Sequence, residues 1–127
     1  MEGERVILRM KLFDSELKLM ELIWETEGCS AKELSLRAAE AIGWNKNTTY
    51  TVLKKLVEKG AVERVEPGFR CLPRISRDQV AREETSGLID KLFGGSRKAF
   101  FAAFLDQKPL SQGELEELRA MIDRHEQ

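Results

Sequence analysis

Residues 44–75 read WNKNTTYTVLKKLVEKGAVERVEPGFRCLPRI, which is a helical pattern followed by a strand pattern. At about 100° per residue, the apolar side chains of residues 46–59 gather on one side of a helix, and Gly60 is typical of the residue that ends one. From residue 61 onward apolar residues alternate with polar ones, and the sequence from Glu66 to Phe69 is typical of a turn. The stretch therefore predicts a helix followed by a β-hairpin.

Two further helices are predicted before this stretch. The first begins with Asp14 or Ser15 as its N-cap and ends near residue 25, and the second is opened by a capping box of Ser30 and Glu33. On the first helix we expect Glu16 and the other charged side chains to lie outside the core. A lone hairpin is only marginally stable, so the three helices must pack against it. This order, three helices and then a hairpin, indicates a winged helix-turn-helix within a mainly α fold with a small β-hairpin (α+β).

Three more helices are predicted after the hairpin, over about residues 78–93, 97–106 and from 111 to near the end. We therefore expect three regions: an N-terminal arm (1–11), a winged-helix domain (12–75) and a helical dimerisation domain (76–127). The short helices after the hairpin carry more large apolar side chains than one chain can enclose, which favours a two-fold symmetric homodimer. The alternative is that these side chains pack on the hairpin of the same chain. The expected interface residues are Phe100, Phe101, Phe104, Leu105, Leu115, Leu118 and Ile122, with Met121 beside them.

The charge of the chain is unevenly distributed. Its 127 residues carry 21 Lys and Arg against 22 Asp and Glu, a net charge of −1. Residues 45–82, however, carry 9 basic and 4 acidic side chains, a net charge of +5. Since affinity for duplex DNA rests largely on neutralising phosphates, this concentration predicts a double-stranded DNA partner. The alternative is an ordinary solvated face.

The polar side of the third helix supplies the chemistry for reading DNA. An Asn amide can pair with an adenine edge, and Thr side chains can contact bases through the hydroxyl or the methyl group. Lysines and arginines contact phosphates and set the register. The expected base contacts are Asn47, Thr48, Tyr50 and Thr51, and the expected backbone contacts are Lys46, Lys54, Lys55 and Arg70, the last at the hairpin tip.

Each of these assignments has a structural alternative. Asn47 or Thr48 could serve only as a helix cap, and Tyr50 could lie at the edge of the core. Lys55 and Lys59 could be ordinary solubilising residues.

Most other function classes are disfavoured by the residues present. The single histidine, His125, allows no Ser/His/Asp set and no zinc motif, so we expect no enzyme, no metal and no cofactor. Cys29 and Cys71 fit no disulfide or metal framework and indicate reduced thiols in a cytoplasmic protein, with a redox switch as the alternative. No apolar run approaches the roughly 18 residues of a membrane span, so membrane insertion is not expected.

Three segments resemble the penicillinase-repressor family of BlaI/MecI/CopY type: LKLMELIW (17–24), WNKNTTYTVLKKLVEKG (44–60) and LSQGELEELRAMI (110–122). The resemblance covers about residues 12–124. It implies a bacterial transcriptional repressor that binds as a homodimer to a dyad-symmetric operator. It also implies that the recognition helix starts at Asn45, which adds this residue to the expected base contacts. Family members often have arginine at the position of Tyr50, which implies a different operator here.

The resemblance also bears on how repression would be lifted. In the antibiotic-resistance members a membrane-bound sensor leads to cleavage of an Asn-Phe bond. That bond aligns with Ala103-Phe104 of this chain, which keeps the phenylalanine but has alanine in place of the asparagine. Copper-responsive relatives carry a C-terminal cysteine cluster, and this chain has no cysteine after Cys71. The alternative to a repressor is a winged-helix protein-interaction module that does not bind DNA.

Overall fold

The computed structural model describes residues 11–107 and 109–126, so residues 1–10 of the expected arm lie outside the described part. Within that part, six helices and one antiparallel hairpin confirm the predicted fold class. The elements are α1 (Asp14–Thr26), α2 (Ala31–Ala41), α3 (Lys46–Lys59), β1 (Val62–Val65), β2 (Arg70–Pro73), α4 (Arg77–Phe93), α5 (Arg97–Gln107) and α6 (Gln112–Glu126).

The helix limits follow from local capping chemistry. Ser30 Oγ accepts the backbone N–H of Glu33 at 3.1 Å and opens α2 as predicted. Ser111 and Glu114 form the reciprocal capping box that opens α6. The expected cap of α1 is wrong, because the N-cap residue is Phe13 and its N–H donates to Glu16 Oε1 at 2.7 Å.

The hairpin β1–β2, which we call the wing, pairs Val62 with Pro73 and Val65 with Arg70. Its second strand is also joined to the start of α2. The Cys71 N–H donates to the Cys29 carbonyl at 2.9 Å, and Ser30 forms an isolated antiparallel bridge with Arg70. The wing is therefore held on its inner edge by the turn between α1 and α2.

Gly28 allows this close approach. Its φ is +104°, in the left-handed region that favours glycine, and an added Cβ would lie 2.7 Å from Leu72 Cδ2. The Gly28 carbonyl accepts a hydrogen bond from Arg70 Nε at 3.1 Å. A side chain at this position would push the turn away from the wing.

The core lies between α1, α2, α3 and the wing, and α3 crosses its centre. Thr49, Val52, Leu53 and Leu56 of α3 are all buried, as the helical spacing predicts. The largest fully buried apolar side chains are Leu19, Met20, Ile23, Leu34, Leu53, Leu56, Val62 and Cys71. Burial of one face of α3 leaves the opposite face in solvent.

The chain divides into two compact units, the first extending through Glu84 and the second beginning at Thr85. The start of α4 thus belongs to the first unit. There the Trp24 indole N–H donates to the Ile75 carbonyl at 2.9 Å, and the Arg77 guanidinium stacks on the Trp24 ring and pairs with Glu21. The Glu21 carboxylate raises the pKa of Arg77.

The second unit has a different character. None of the described residues of α4, α5 and α6 is buried. Its internal ring contacts are edge-to-face pairs of Phe100 with Phe93 and with Phe101, both at 5.7 Å. The exposed large apolar side chains of this unit are Leu88, Leu92, Phe101, Phe104, Leu105, Met121 and Ile122.

The expectation that Glu16 lies outside the core is wrong. The residue is only 1% exposed, and its Oε1 accepts Lys59 Nζ at 2.6 Å. Lys59, the last residue of α3, also donates to the Lys11 carbonyl at 2.8 Å and lies over the Phe13 ring at 4.5 Å. Lys59 is therefore a structural residue that joins the end of α3 to the start of α1.

Replacing Lys59→Met should lower the free energy of unfolding by about 3 kcal/mol, because the buried Glu16 carboxylate would lose its cation. Urea denaturation measures the loss. Lys55→Met, on an exposed site of the same helix, is the matched control and should change stability by less than about 0.5 kcal/mol. Equal effects of the two substitutions would contradict a structural role for the ion pair.

Candidate nucleic-acid interface

The solvent-facing side of α3 carries a polar strip formed by Asn47, Thr48, Thr51, Lys54, Lys55 and Glu58. All six residues are exposed. At about 100° per residue they lie within roughly a third of the helix circumference, opposite the buried apolar face. The strip therefore presents amide, hydroxyl and ammonium groups, with one carboxylate, on a helix whose other side is fixed in the core.

The cap of α3 is Asn45, whose Oδ1 accepts the Thr48 backbone N–H at 2.8 Å. Neither Asn47 nor Thr48 is the capping residue, so the capping alternative for their side chains does not apply. The Asn47 side chain has no hydrogen bond to any residue that the structure describes. Its amide is thus available as a paired donor and acceptor, whereas the side-chain oxygen of Asn45 is already used.

Ion pairing divides the basic residues of the segment into two groups. Lys59, Arg64, Arg74 and Arg77 each lie within 4.0 Å of a carboxylate, so their charges are partly compensated. The other five have no ion pair with any described residue: Lys46, Lys54, Lys55, Arg70 and Arg82. Three of these five uncompensated charges lie on α3, where backbone contacts are expected.

The wing arginines are more constrained than the sequence indicates. Arg70 is the first residue of β2 and lies after the turn, and its Nε is bound to the Gly28 carbonyl. Arg64 stacks on the Phe69 ring, 3.9 Å from the ring centroid, and pairs with Glu66. The hydrogen bond from Arg64 lowers the pKa of the Glu66 carboxyl group. Only part of each guanidinium remains open to another ligand.

Tyr50 joins α3 to the wing. It is half-buried against the core, and its ring meets Phe69 edge to face with 6.4 Å between centroids. Lys46 Nζ lies 5.9 Å from the centre of the same ring. This contact of Phe69 was not expected from the sequence, although an aromatic residue in a hairpin turn is a recognisable signal.

The expected dimer residues are all in the second unit and differ in exposure. Phe101, Phe104, Leu105 and Ile122 are exposed, whereas Phe100, Leu115 and Leu118 are half-buried. Leu88 and Leu92 of α4 are also exposed, although the sequence did not place them among the expected interface residues. The Ala103-Phe104 bond lies inside α5, so a protease acting there would have to unwind the helix.

The described residues form neither a metal site nor a membrane span. In the described part of the chain no three His, Cys, Asp or Glu side chains are grouped to hold a metal ion. No described helix combines the length and apolarity needed to cross a bilayer. Both cysteines are free and buried, and burial, together with the neighbouring Cys29, raises the pKa of the Cys71 thiol to about 12.

The three packed helices, the wing and the exposed polar face of the third helix define a winged helix. The family model described as penicillinase repressor matches residues 12–124. The chain belongs to the penicillinase-repressor family. This family consists of transcriptional repressors and not of enzymes, which confirms the expectation that the chain is not an enzyme.

Individual relatives are distant but extend over most of the chain. The chain is 24% identical over 117 residues to a penicillinase repressor of Bacillus licheniformis, covering 91% of each protein. It is 22% identical to the methicillin resistance regulatory protein MecI of Staphylococcus aureus, over 90% of this chain and 94% of that protein. The solution structure of the DNA-binding domain of the repressor BlaI matches with a TM-score of 0.51 and 27% identity, over 54% of this chain and 87% of that one.

Cys71 should be inert towards thiol reagents while the chain is folded. With a pKa of about 12, roughly one thiol in ten thousand is ionised at pH 8, and the side chain is fully buried. In a Cys29→Ser variant burial still raises the pKa of the Cys71 thiol, and the reaction with Ellman's reagent should be at least about a hundredfold slower than in the unfolded chain. Reaction at the rate of a free thiol would instead support a redox role.

Proposed function

We propose that this protein is a DNA-binding transcriptional repressor that places α3 in the major groove of a dyad-symmetric operator. The observation that carries the proposal is the polar strip, with three lysines of α3 that lack ion pairs among the described residues. The likeness to the DNA-binding domain of BlaI supports it. A DNA partner implies a cytoplasmic location in a bacterium.

Base reading is assigned chiefly to Asn47, Thr48 and Thr51. Their side chains are exposed, and the Asn47 amide can form two hydrogen bonds to an adenine. Asn45 and Tyr50 contribute at the edges of the same surface. The Asn45 amide nitrogen is not needed for the cap, and the Tyr50 hydroxyl lies on a ring that is packed against the wing.

Backbone contacts are assigned to Lys46, Lys54, Lys55 and Arg70. Ammonium groups without carboxylate partners can neutralise phosphates without first breaking an ion pair, so they contribute fully to counterion release. Arg70 can offer its terminal nitrogens while Nε stays on the Gly28 carbonyl.

The second candidate function is a winged-helix protein-interaction module. A protein-binding helix typically presents an apolar or acidic face, and the exposed face of α3 carries mainly Asn, Thr and Lys, with Glu58 as its one acidic residue. The two functions differ in their salt dependence, because only phosphate contacts give a steep fall of affinity with salt concentration.

We further propose that the second unit forms a homodimer through α4, α5 and α6. With no described side chain buried in these helices, the unit lacks a core of its own, and a two-fold symmetric partner would supply it. Two recognition helices would then contact half-sites about 10 base pairs apart, or a multiple of that spacing. Cleavage at Ala103-Phe104 by a membrane-bound sensor protease would separate α6 from the DNA-binding unit.

Substitutions in the polar strip should affect DNA binding in two ways, depending on whether they remove a base contact or a phosphate contact. The operator is first identified from the genomic fragments that bind the purified protein. Asn47→Ala and Thr51→Ala should each weaken operator binding by about 1–3 kcal/mol while leaving binding to unrelated duplex nearly unchanged. Lys54→Ala should weaken both equally and reduce the salt slope of log affinity by about one.

Fluorescence anisotropy at several salt concentrations measures both quantities. A flat salt dependence for the unaltered protein would favour the protein-interaction module. An unchanged slope in Lys54→Ala would remove that residue from the phosphate contacts.

Dimerisation should depend on the apolar side of α6. Truncation after Gln107 should give a monomer without tight operator binding, and Ile122→Glu should weaken the dimer by at least about 3 kcal/mol through burial of a charge. Arg124→Glu, about half a helix turn from that side, is the matched control and should remain dimeric. Sedimentation velocity distinguishes the species, and a dimeric Ile122→Glu protein would contradict the assignment.

A further inference from the structure

A cleft of about 340 Å³ lies between α3 and the wing. It is lined by Tyr50, Lys54, Val57, Arg64 and Phe69. Tyr50, Val57 and Phe69 form its apolar walls, and all three are half-buried and packed against the core. The walls are therefore part of the folded structure and do not need a ligand to form.

The size and shape of the cleft suit a small flat ligand. Its volume lies near the lower end of the range of about 300–1,000 Å³ that is usual for small-molecule sites, so one or two fused rings would fill it. The edge-to-face pair of Tyr50 and Phe69 offers both ring edges and a ring face, which favours an aromatic guest.

The charge at the rim selects an anion. Both charged lining residues are cations, and no acidic side chain is among the described residues that line the cleft. Arg64 is engaged with Phe69 and Glu66, whereas Lys54 has no ion pair with a described residue. Lys54 thus lines an apolar cleft and carries an uncompensated positive charge, a combination that suits a carboxylate attached to a ring.

We propose that this cleft binds a small aromatic carboxylate, with the ring between Tyr50, Val57 and Phe69 and the carboxylate accepting a hydrogen bond from Lys54. Binding to the free protein does not require the DNA-binding function. One consequence does rest on that proposed function. Because Lys54 also belongs to the polar strip, an occupied cleft withdraws a phosphate contact and weakens operator binding.

Naphthalene-2-carboxylate is the probe, titrated into the full-length protein without DNA and followed by ¹H–¹⁵N spectra. We expect saturable shifts at the five lining residues, with a dissociation constant of about 1 mM. Lys54→Gln should weaken binding about tenfold, the loss of one charge-assisted hydrogen bond. Lys55→Gln is the matched control and should bind as the unaltered protein does, and the neutral naphthalen-2-ylmethanol should bind equally to both variants.

Any of the following results would overturn the assignment: shifts that do not saturate, equal affinities of Lys54→Gln and Lys55→Gln for the carboxylate, or full affinity in a folded Val57→Phe variant whose ring fills the cleft. Shifts of the same amides by duplex DNA but not by the probe would also overturn it, since the cleft would then belong to the DNA surface. If a separate titration finds no DNA binding, the predicted effect of the ligand on operator binding is contradicted, but the binding of the carboxylate to the cleft is not.

Discussion

The burial of one face of α3 is the constraint on which the rest of the first unit depends. Leu53 and Leu56 fill the space between α1, α2 and the wing, so α3 can neither rotate nor slide without opening a cavity of methyl-group size or larger. The buried ion pair of Glu16 and Lys59 holds the end of the same helix. Because the buried face holds α3 in one position, the opposite face is held as well, and the polar strip is presented in one orientation. A surface that reads base edges needs this order, because a displacement of about 1 Å breaks paired hydrogen bonds.

The wing is attached to the same arrangement by short-range contacts. One edge is tied to the turn before α2, and Phe69 in its turn rests against Tyr50 of α3. The wing is thus attached to α3 and does not move separately from it. Its arginines are partly engaged within the fold, and this leaves the lysines of α3 as the main source of free positive charge in the segment.

Features that depend on neighbours in the sequence could be predicted, whereas those that depend on distant partners could not. The Ser30 cap predicted the start of α2 and Gly60 the end of α3, because the groups involved lie within four residues of one another. The burial of Glu16 was missed, since a glutamate on a helix is normally exposed and its cation comes from 43 residues away. The tie between Gly28 and Arg70 was missed for the same reason, as it spans 42 residues. The polar strip was predicted residue by residue from helical spacing, but which lysines remain unpaired became clear only from the fold.

The absence of buried side chains among the described residues of α4, α5 and α6 gives the two units different thermodynamics. The first unit carries its own core, so its melting temperature is a property of a single molecule. In the proposed homodimer the second unit would draw its stabilising free energy from association, and its ordered fraction would follow the law of mass action. In a bacterium that holds few copies of the protein, the abundance of the chain itself would then set how much of it is fully folded.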